Sequence, residues 1–582
     1  MKLTSIKSLY IFLSSIINEV LILFLFIFVI NNILYNEDVR INSDGKGYFD
    51  YLPSIFIYQD FIRLDCNDTD CPKKYERVNK MGVYNTYKDK KVDKYTCGTA
   101  LLESPFFLVT FITHKRTFTV EEAYQTHYQH AVFYAALFYL FLALILLKAL
   151  LKLYKVNLWI ITTMQLLVVF ATGLSYYANY NAGYSHVFSF FAVTWFSFNA
   201  KNYLLKPNSK YFFYAVISLG LVVLIRPANA VLIFFIPFLA ENSKAFAEGI
   251  AYIFKRPLQL MVGMAIFLCL MSLQSVAWYL QTGDFFLYSY GREGFNWLNP
   301  QIANVLFSYR KGLFVYSPAL FIAALSVIWF FFSKRSYEGI MLILFFLLIT
   351  YIISSWRSWS YGCSYGMRPY IDYLVLFIIP LALFLQHSKV IVRVIVLFIL
   401  FGLAVLNQVQ TYQYKEYILT WDSMDKSGYW KVFLQTSDNV KGVIWKIKPD
   451  IKSLKETPFP LNEHIELNSN SQRNLFVSKG LSVTEMRNLK YVKLSLKTDF
   501  STKNDAAISM RISDTLTLNA AQYGYINLLR MAEKDLNTVH KGEYFFKIGQ
   551  NVKPGNYVIS ISLITKSRSI VVDSTSVSFY SK

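Results

Sequence analysis

The stretch "LYIFLSSIINEVLILFLFIFVINNIL", Leu9 to Leu34, is an apolar run of 26 residues. A helix needs roughly 20 such residues to cross the hydrocarbon core of a bilayer, so this run is long enough to span. Lys2 and Lys7 precede it, as basic residues precede a secretory signal. The run is too long for a signal's apolar region and has no small-residue exit, so an uncleaved anchor is expected.

Working outward, similar runs recur to about residue 410, in a chain that is 54% hydrophobic and 18% aromatic but only 16% charged. This is the composition of a polytopic α-helical membrane protein. Placing basic ends inside gives about eleven spans. They fall near 9–34, 131–153, 157–175, 184–200, 211–226, 228–240, 257–281, 312–333, 338–354, 370–386 and 390–410. The fifth and sixth are short and meet at "IRPANA", where Arg226 and Pro227 mark a break.

The formal net charge of +21 does not point to nucleic acid. Lys148, Lys152, Lys155, Lys201, Lys206, Lys210, Lys255, Arg256, Lys334, Arg335, Lys389 and Arg393 flank alternate ends of apolar runs, so the charge records topology. An odd span number then puts the N-terminus inside and the chain after residue 411 outside. Three of the outward-facing segments are long or rich enough to read for chemistry: 35–130, 282–311 and 355–369. The inner loops are short and basic and carry no phosphate-binding glycine motif.

Of the five cysteines, Cys66, Cys71 and Cys97 lie in the first outer loop, and Cys269 and Cys363 in or near spans. A Cys66–Cys71 bridge suits an oxidising compartment and leaves one loop cysteine over. From about residue 450 the pattern changes. "YVKLSLKTDF", "AAISMRIS", "NYVISISLIT" and "SIVVDSTSVSFY" alternate apolar and polar residues and are separated by turns such as "KPGN". They predict an extracytoplasmic β-sandwich over 450–582, with 411–449 as an interfacial connector bearing Trp421, Trp430 and Trp445.

The outer segments are dense in residues that can carry chemistry. Arg292, Arg310 and Lys311 sit near the outer interface against the positive-inside trend, and Arg368 lies close to Trp356, Trp359 and Tyr365. Guanidinium forks suit phosphate, and aromatic faces suit the apolar faces of sugar rings. Belt aromatics and snorkelling arginines are the structural alternative. Arg368 also precedes Asp372 by four residues, a spacing that permits an ion pair on one helix face.

The first outer loop opens with "INSDGKGYFDYLPSIFIYQDF", Ile41 to Phe61. Asp44 there can act as a general base towards an acceptor hydroxyl. Lys46 can pair with it or meet a phosphate, and Tyr48 can line the site. The glycines at 45 and 47 permit a tight turn or a close backbone approach. From about Leu52 the segment can lie as an interfacial helix, with Ile55 and Ile62 apolar. Alternatively, Asp44-Gly45 is a turn and nothing more.

Together, "DGKGYFDYLPSIF", "LLESPFFLVT", "NAGYSHVFSFF", "SYGREGFNWLNPQ" and "YGCSYGMRPYIDY" resemble the GT-C superfamily of polytopic glycosyltransferases. The likeness is to the protein O-mannosyltransferase and aminoarabinose-transferase branch and to Bacteroidetes-type membrane proteins placed near it. It covers roughly residues 1–410 by layout. It implies a GT-C-like transmembrane domain over 1–410, with interfacial helices in the loop 35–130, and Asp44 as the catalytic or metal-associated acid. It also implies that Arg292, Arg310, Lys311 and Arg368 hold a donor phosphate, with Lys46, Tyr48, His186, Trp356, Trp359 and Tyr365 around the substrate.

This chain departs from the superfamily in having Gly45 where many members have a second acid, and only His186 in the second outer loop, so no metal ligand and no cofactor is assigned, and a divalent metal stays open. The expectation is a bacterial inner-membrane transferase moving a sugar from a polyprenyl-phosphate donor to an extracytoplasmic lipid, glycan or protein. A lipid-linked glycan translocase and a non-catalytic envelope scaffold are the rivals.

Overall fold

The computed structural model describes residues 2–34, 39–62, 78, 82–88, 90–114, 122–291, 293–446, 449, 451–461, 465–468, 471–499, 506–515, 520–527, 540–548, 555–565 and 570–581. Cys66 and Cys71 lie outside the described residues, whereas Cys97, Cys269 and Cys363 are not in disulfides. The chain divides into two units, Met1–Gln408 and Val409–Lys582.

The first unit is helical. α1 (Lys2–Val29), α2 (Asp44–Phe56), α3 (Gly98–Thr113), α4 (Thr126–Leu153), α5 (Leu158–Phe170), α6 (His186–Leu205) and α7 (Ser209–Ile225) form its first half. α8 (Pro257–Thr282), α9 (Ser336–Ser355), α10 (Val375–His387) and α11 (Val390–Lys415) follow. Each of the eleven apolar segments read from the sequence carries helix. Among the described residues, five helices are long and apolar enough to cross a membrane: the first, over Ser15–Asn32, then α4, α8, α9 and α11. A pair bent by 119°, Pro227–Leu239 with Ser243–Phe254, makes a sixth if it counts as one span. By its helices this is an integral membrane protein.

Other apolar helices, among them α3, α5, α7 and α10, are shorter, at 10–17 residues. α6 is buried along nearly its whole length, as a helix apolar on all sides must be when neighbours enclose it. It packs between α4 and α7. Inside the bundle, Glu19 of α1 meets Lys148 of α4 at 2.5 Å and accepts a bond from Gln165 of α5 at 2.6 Å. Glu19 and Lys148, both taken out of water, thus partner each other, the condition for tolerating such charges.

Pro227 forces the break expected at "IRPANA". Arg226 takes an extended conformation (φ −149°, ψ 106°) and Pro227–Phe235 continues as a 3-10 helix, because proline disfavours the helical region for the residue before it. The segment 312–333 is likewise broken, into Leu313–Tyr316, Ala319–Leu325 and Ile328–Phe332, with Pro318 between the first two.

Between α2 and α3, β1 (Tyr84–Tyr87) and β2 (Lys90–Asp93) form an antiparallel hairpin. The Tyr84 hydroxyl bonds to the buried Asp50 of α2, and the Tyr51 hydroxyl donates to the Tyr95 carbonyl at 2.7 Å. The hairpin is thereby fastened to α2. That helix is far more buried than a surface helix: Tyr48, Phe49, Tyr51 and Leu52 are enclosed, and Ile55 is exposed, as is Ile62 beyond its end.

The second unit is strand-rich. β3 (Lys455–Leu461), β4 (Ile465–Leu467), β5 (Gln472–Val477), β6 (Leu489–Asp499), β7 (Ala506–Asp514), β8 (Ala520–Asn527), β9 (His540–Lys547), β10 (Tyr557–Thr565) and β11 (Ile570–Ser581) form two antiparallel sheets. One is ordered β5-β10-β7-β8. The other is β3-β11-β6-β9, with β4 also on β11. Alternate residues of β6 (Val492, Leu494, Leu496) and β10 (Ile559, Ile561, Leu563) share one buried apolar cluster, the period-two pattern of strands with one buried face.

Candidate active site

The chain reaches α2 through a turn. Ser43 has a positive φ of 43°, the Gly45 N–H donates to the Asn42 carbonyl at 2.8 Å, and the Lys46 N–H donates to the Ser43 carbonyl at 3.1 Å. Asp44 is therefore the first residue of the helix. The glycines beside it permit close approach. A Cβ on Gly45 would stand 3.2 Å from the Gly183 backbone, and one on Gly47 would stand 2.3 Å from the Tyr95 ring. Without those Cβ atoms, the Gly183 loop and the Tyr95 ring close over the first turn of α2.

Asp44 contacts more than its own turn. Its Oδ2 lies 2.6 Å from a terminal nitrogen of Arg368, and the Tyr95 hydroxyl hydrogen-bonds to it. Burial pushes the Asp44 carboxyl up, but the charges of Arg368 and Lys94 and the two hydrogen bonds outweigh this and hold it below the usual carboxylate value. The carboxylate is ionised, a quarter exposed at 25%, against 11% for Arg368.

Tyrosines wall the couple. The Arg368 guanidinium sits 5.1 Å from the Tyr184 ring centre, within the range of a cation–π contact. Tyr48 and Tyr95 rings are 4.6 Å apart, and Tyr290 adds an edge to Tyr95 at 6.0 Å.

A second acid–arginine pair lies deeper. Asp372 is fully buried. Its Oδ1 is 2.8 Å from His186 Nδ1, and its Oδ2 accepts from Arg226 at 2.9 Å and Asn229 at 2.8 Å. Asn229 in turn donates to Ser189 and accepts from the Tyr373 hydroxyl. Tyr48 lies within electrostatic reach of Asp44, Arg226 and Arg368 at once, so the two pairs form one polar cluster.

This overturns the helical Arg368–Asp372 pair that the four-residue spacing permitted. Arg368–Tyr373 is a 3-10 helix, in which residues three apart eclipse and those four apart diverge. Each partner instead finds a residue distant in sequence.

Among the other residues singled out above, Arg292 lies outside the described residues. Lys46 stands over the Tyr124 ring at 5.9 Å. Lys311 is buried and bonds to the carbonyl and hydroxyl of Ser364, which ties down the 355–369 loop. Tyr365 is buried too, its hydroxyl on the Tyr316 and Asn407 carbonyls at 3.3 Å. Arg310 covers Trp359 at 5.7 Å. Trp356 packs its edge against Tyr290 at 5.6 Å and so borders the cluster.

Asp44, Tyr48, His186 and Arg368 thus come together with Trp356 beside them. Arg226, Asn229, Asp372, Tyr95, Tyr184 and Tyr290 join them without having been singled out as site residues. Asp372 carried a signal, being an ionisable residue at the edge of an apolar run.

Among the described residues, no three His, Cys, Asp or Glu side chains gather as a cation site. Asp44 and Asp372 each already face a guanidinium, so this donor set does not fit a divalent metal.

No family model matches the chain, and no curated protein matches it. Among solved structures it is similar to arabinosyltransferase EmbB from Mycobacterium smegmatis, with 9% identity and a TM-score of 0.31. The match covers 91% of this chain and 64% of that one, so the chain spans less than two thirds of its neighbour's length. A likeness of this degree leaves every residue role to the chain's own chemistry.

Proposed function

We propose that the chain is a GT-C-like membrane glycosyltransferase that takes a sugar from a polyprenyl-phosphate carrier and passes it to an extracytoplasmic lipid, glycan or protein. The observation that carries this reading is the couple of an ionised Asp44 with Arg368, set among tyrosine faces where the chain leaves its first membrane helix.

In this reaction the acceptor hydroxyl attacks the anomeric carbon while Asp44 takes the hydroxyl proton. A carbon–oxygen bond to the acceptor forms, the bond to the donor phosphate breaks, and polyprenyl phosphate leaves with the electron pair. The configuration inverts. Arg368 stabilises the charge growing on the leaving phosphate, a contribution for which single-donor removals typically cost roughly 100- to 1,000-fold in rate. The Tyr48, Tyr95, Tyr184 and Trp356 faces take the sugar. Arg226, Asp372, His186 and Asn229 hold the floor. The carrier's tail stays in the bilayer, and the strand-rich unit stands outside a bacterial inner membrane as a β-sandwich.

The test compares lipid-linked sugars and envelope glycans from cells with wild-type protein, no protein, or Asp44→Asn at matched membrane levels. The transferase reading expects Asp44→Asn to match the deletion and to leave an unused lipid-linked sugar. A scaffold expects Asp44→Asn to behave as wild type, since asparagine also fits the turn.

A further inference from the structure

Two acid–arginine pairs sit in one cluster, and they are built differently. Asp372 is fully enclosed and takes hydrogen bonds from three side chains, one of them itself fixed by Ser189 and Tyr373. Nothing can remove one donor without stranding a buried charge. The outer pair is open. Asp44 is 25% exposed, and Arg368 keeps a buried Nε–H that has no hydrogen-bond partner. A guanidinium binds phosphate best with two parallel N–H bonds, so Arg368 has a donor to spare for such a ligand. The flat Tyr184 ring beneath it at 5.1 Å lets the guanidinium plane shift while keeping its cation–π contact.

We propose that Arg368 is a clasp: at rest it holds the Asp44 carboxylate, and an arriving lipid phosphate takes the guanidinium and sets Asp44 free to act as base. The proposal rests on the transferase reading above and adds its regulation. The chemistry favours such an order. While clasped, Asp44 is a poor proton acceptor, because burial, which raises its carboxyl, is outweighed by the charges of Arg368 and Lys94 together with the hydrogen bonds from Tyr95 and Arg368. Once the guanidinium has turned to a phosphate, burial remains and strengthens the base. The base is then active only when donor is present, which limits reaction without a sugar to transfer.

The clasp predicts an unusual binding result. The phosphate must compete with Asp44 for Arg368, so removing the carboxylate charge should tighten phosphate binding. A clasp closed about 90% of the time weakens the apparent affinity about tenfold. The experiment titrates full-length purified protein with geranylgeranyl phosphate, with inorganic phosphate, and with geranylgeraniol, using wild type, Asp44→Asn and Arg368→Gln.

The expected result is about tenfold tighter binding of the lipid phosphate by Asp44→Asn, at least tenfold weaker binding by Arg368→Gln, and no dependence on either variant for the alcohol. Inorganic phosphate ranking the three proteins in the same order would make free phosphate a sufficient ligand. The lipid phosphate alone doing so would make the tail part of recognition. Equal or weaker lipid-phosphate binding by Asp44→Asn overturns the clasp, as does the absence of phosphate binding by all three proteins. Should Asp44→Asn not fold, Asp44→Ser carries the same expectation.

The two readings fail separately. Tightened binding with unchanged cellular glycans removes the transferase, and with it Asp44 as base, and keeps only the exchange of Arg368 between Asp44 and phosphate. Unchanged binding with lost glycans does the reverse.

Discussion

Replacing Asp372 by asparagine should damage the protein far more than the same change at Asp44. Asp372 accepts from His186, Arg226 and Asn229 and is fully buried, while Arg226 is only 19% exposed. Removing one partner of such a pair costs about 3–5 kcal/mol, because the other charge is left without compensation. An asparagine oxygen still accepts a bond and the Arg226 tip still reaches some solvent, which places the cost near the lower figure, about 3 kcal/mol.

At Asp44 the carboxylate is a quarter exposed, and a partly solvated pair of this kind contributes about 1 kcal/mol or less. Equilibrium unfolding of the purified protein in mixed detergent micelles, followed by tryptophan fluorescence, measures both. Arg226→Met with Asp372→Leu should recover most of the loss, since apolar replacement of a buried pair is often neutral, and the shortfall from additivity reports their coupling. If Asp372→Asn were no more destabilised than Asp44→Asn, the distinction between a fixed and an exchangeable pair would have no basis.

Two further outcomes follow from the geometry. Gly47→Ala places a Cβ 2.3 Å from the Tyr95 ring and must push that ring off Asp44, so glycan transfer should fall more than tenfold while the membrane level of the protein changes little. The pH dependence has a fixed sign: Asp44 in the folded state lies below its ordinary value. Its contribution to stability is therefore complete above the unfolded value of about 3.9 and is lost only as pH falls through the lower folded value. Accordingly kcat/KM, which reports the free enzyme, should show no acid limb from Asp44 between about pH 5 and 8. A limb near pH 6 present in wild type and absent in Asp44→Glu would contradict that.

What could be read from the chain alone follows the range of the forces involved. Apolar length and basic flanks act locally, so the helical segments, the Arg226–Pro227 break and the strand pattern after residue 450 were legible. Asp44 was legible as an acid in a glycine-flanked turn, and its neighbours Tyr48, His186 and Arg368 by residue type. The pairing was not legible. Arg226 and Asn229 reach Asp372 across 146 and 143 residues, and no local rule selects such partners. The one local rule applied to Arg368, the four-residue helical spacing, failed because the segment winds as a 3-10 helix. Lys311 and Tyr365 had the residue types of a ligand site, yet burial turns both towards backbone carbonyls.

The cluster divides its work by depth. The inner pair is satisfied on every side, so it fixes the end of α7, the start of α6 and the 368–373 segment with respect to one another. The outer pair is left one donor in surplus and partly wet, which makes it able to change partners at small cost. Tyrosine suits the wall between them. Burial pushes the Tyr95 hydroxyl well above its ordinary value, and the nearby Asp44 charge adds to this, so Tyr95 stays protonated and donates to Asp44 without adding a charge. In the proposed reaction, the acid that receives the proton would thus be steadied by a neutral donor and by a cation able to turn away. Under the clasp proposal, a fixed cation in place of Arg368 would hold Asp44 low throughout, and an apolar wall in place of Tyr95 would leave it unsteadied once the cation turned to a phosphate.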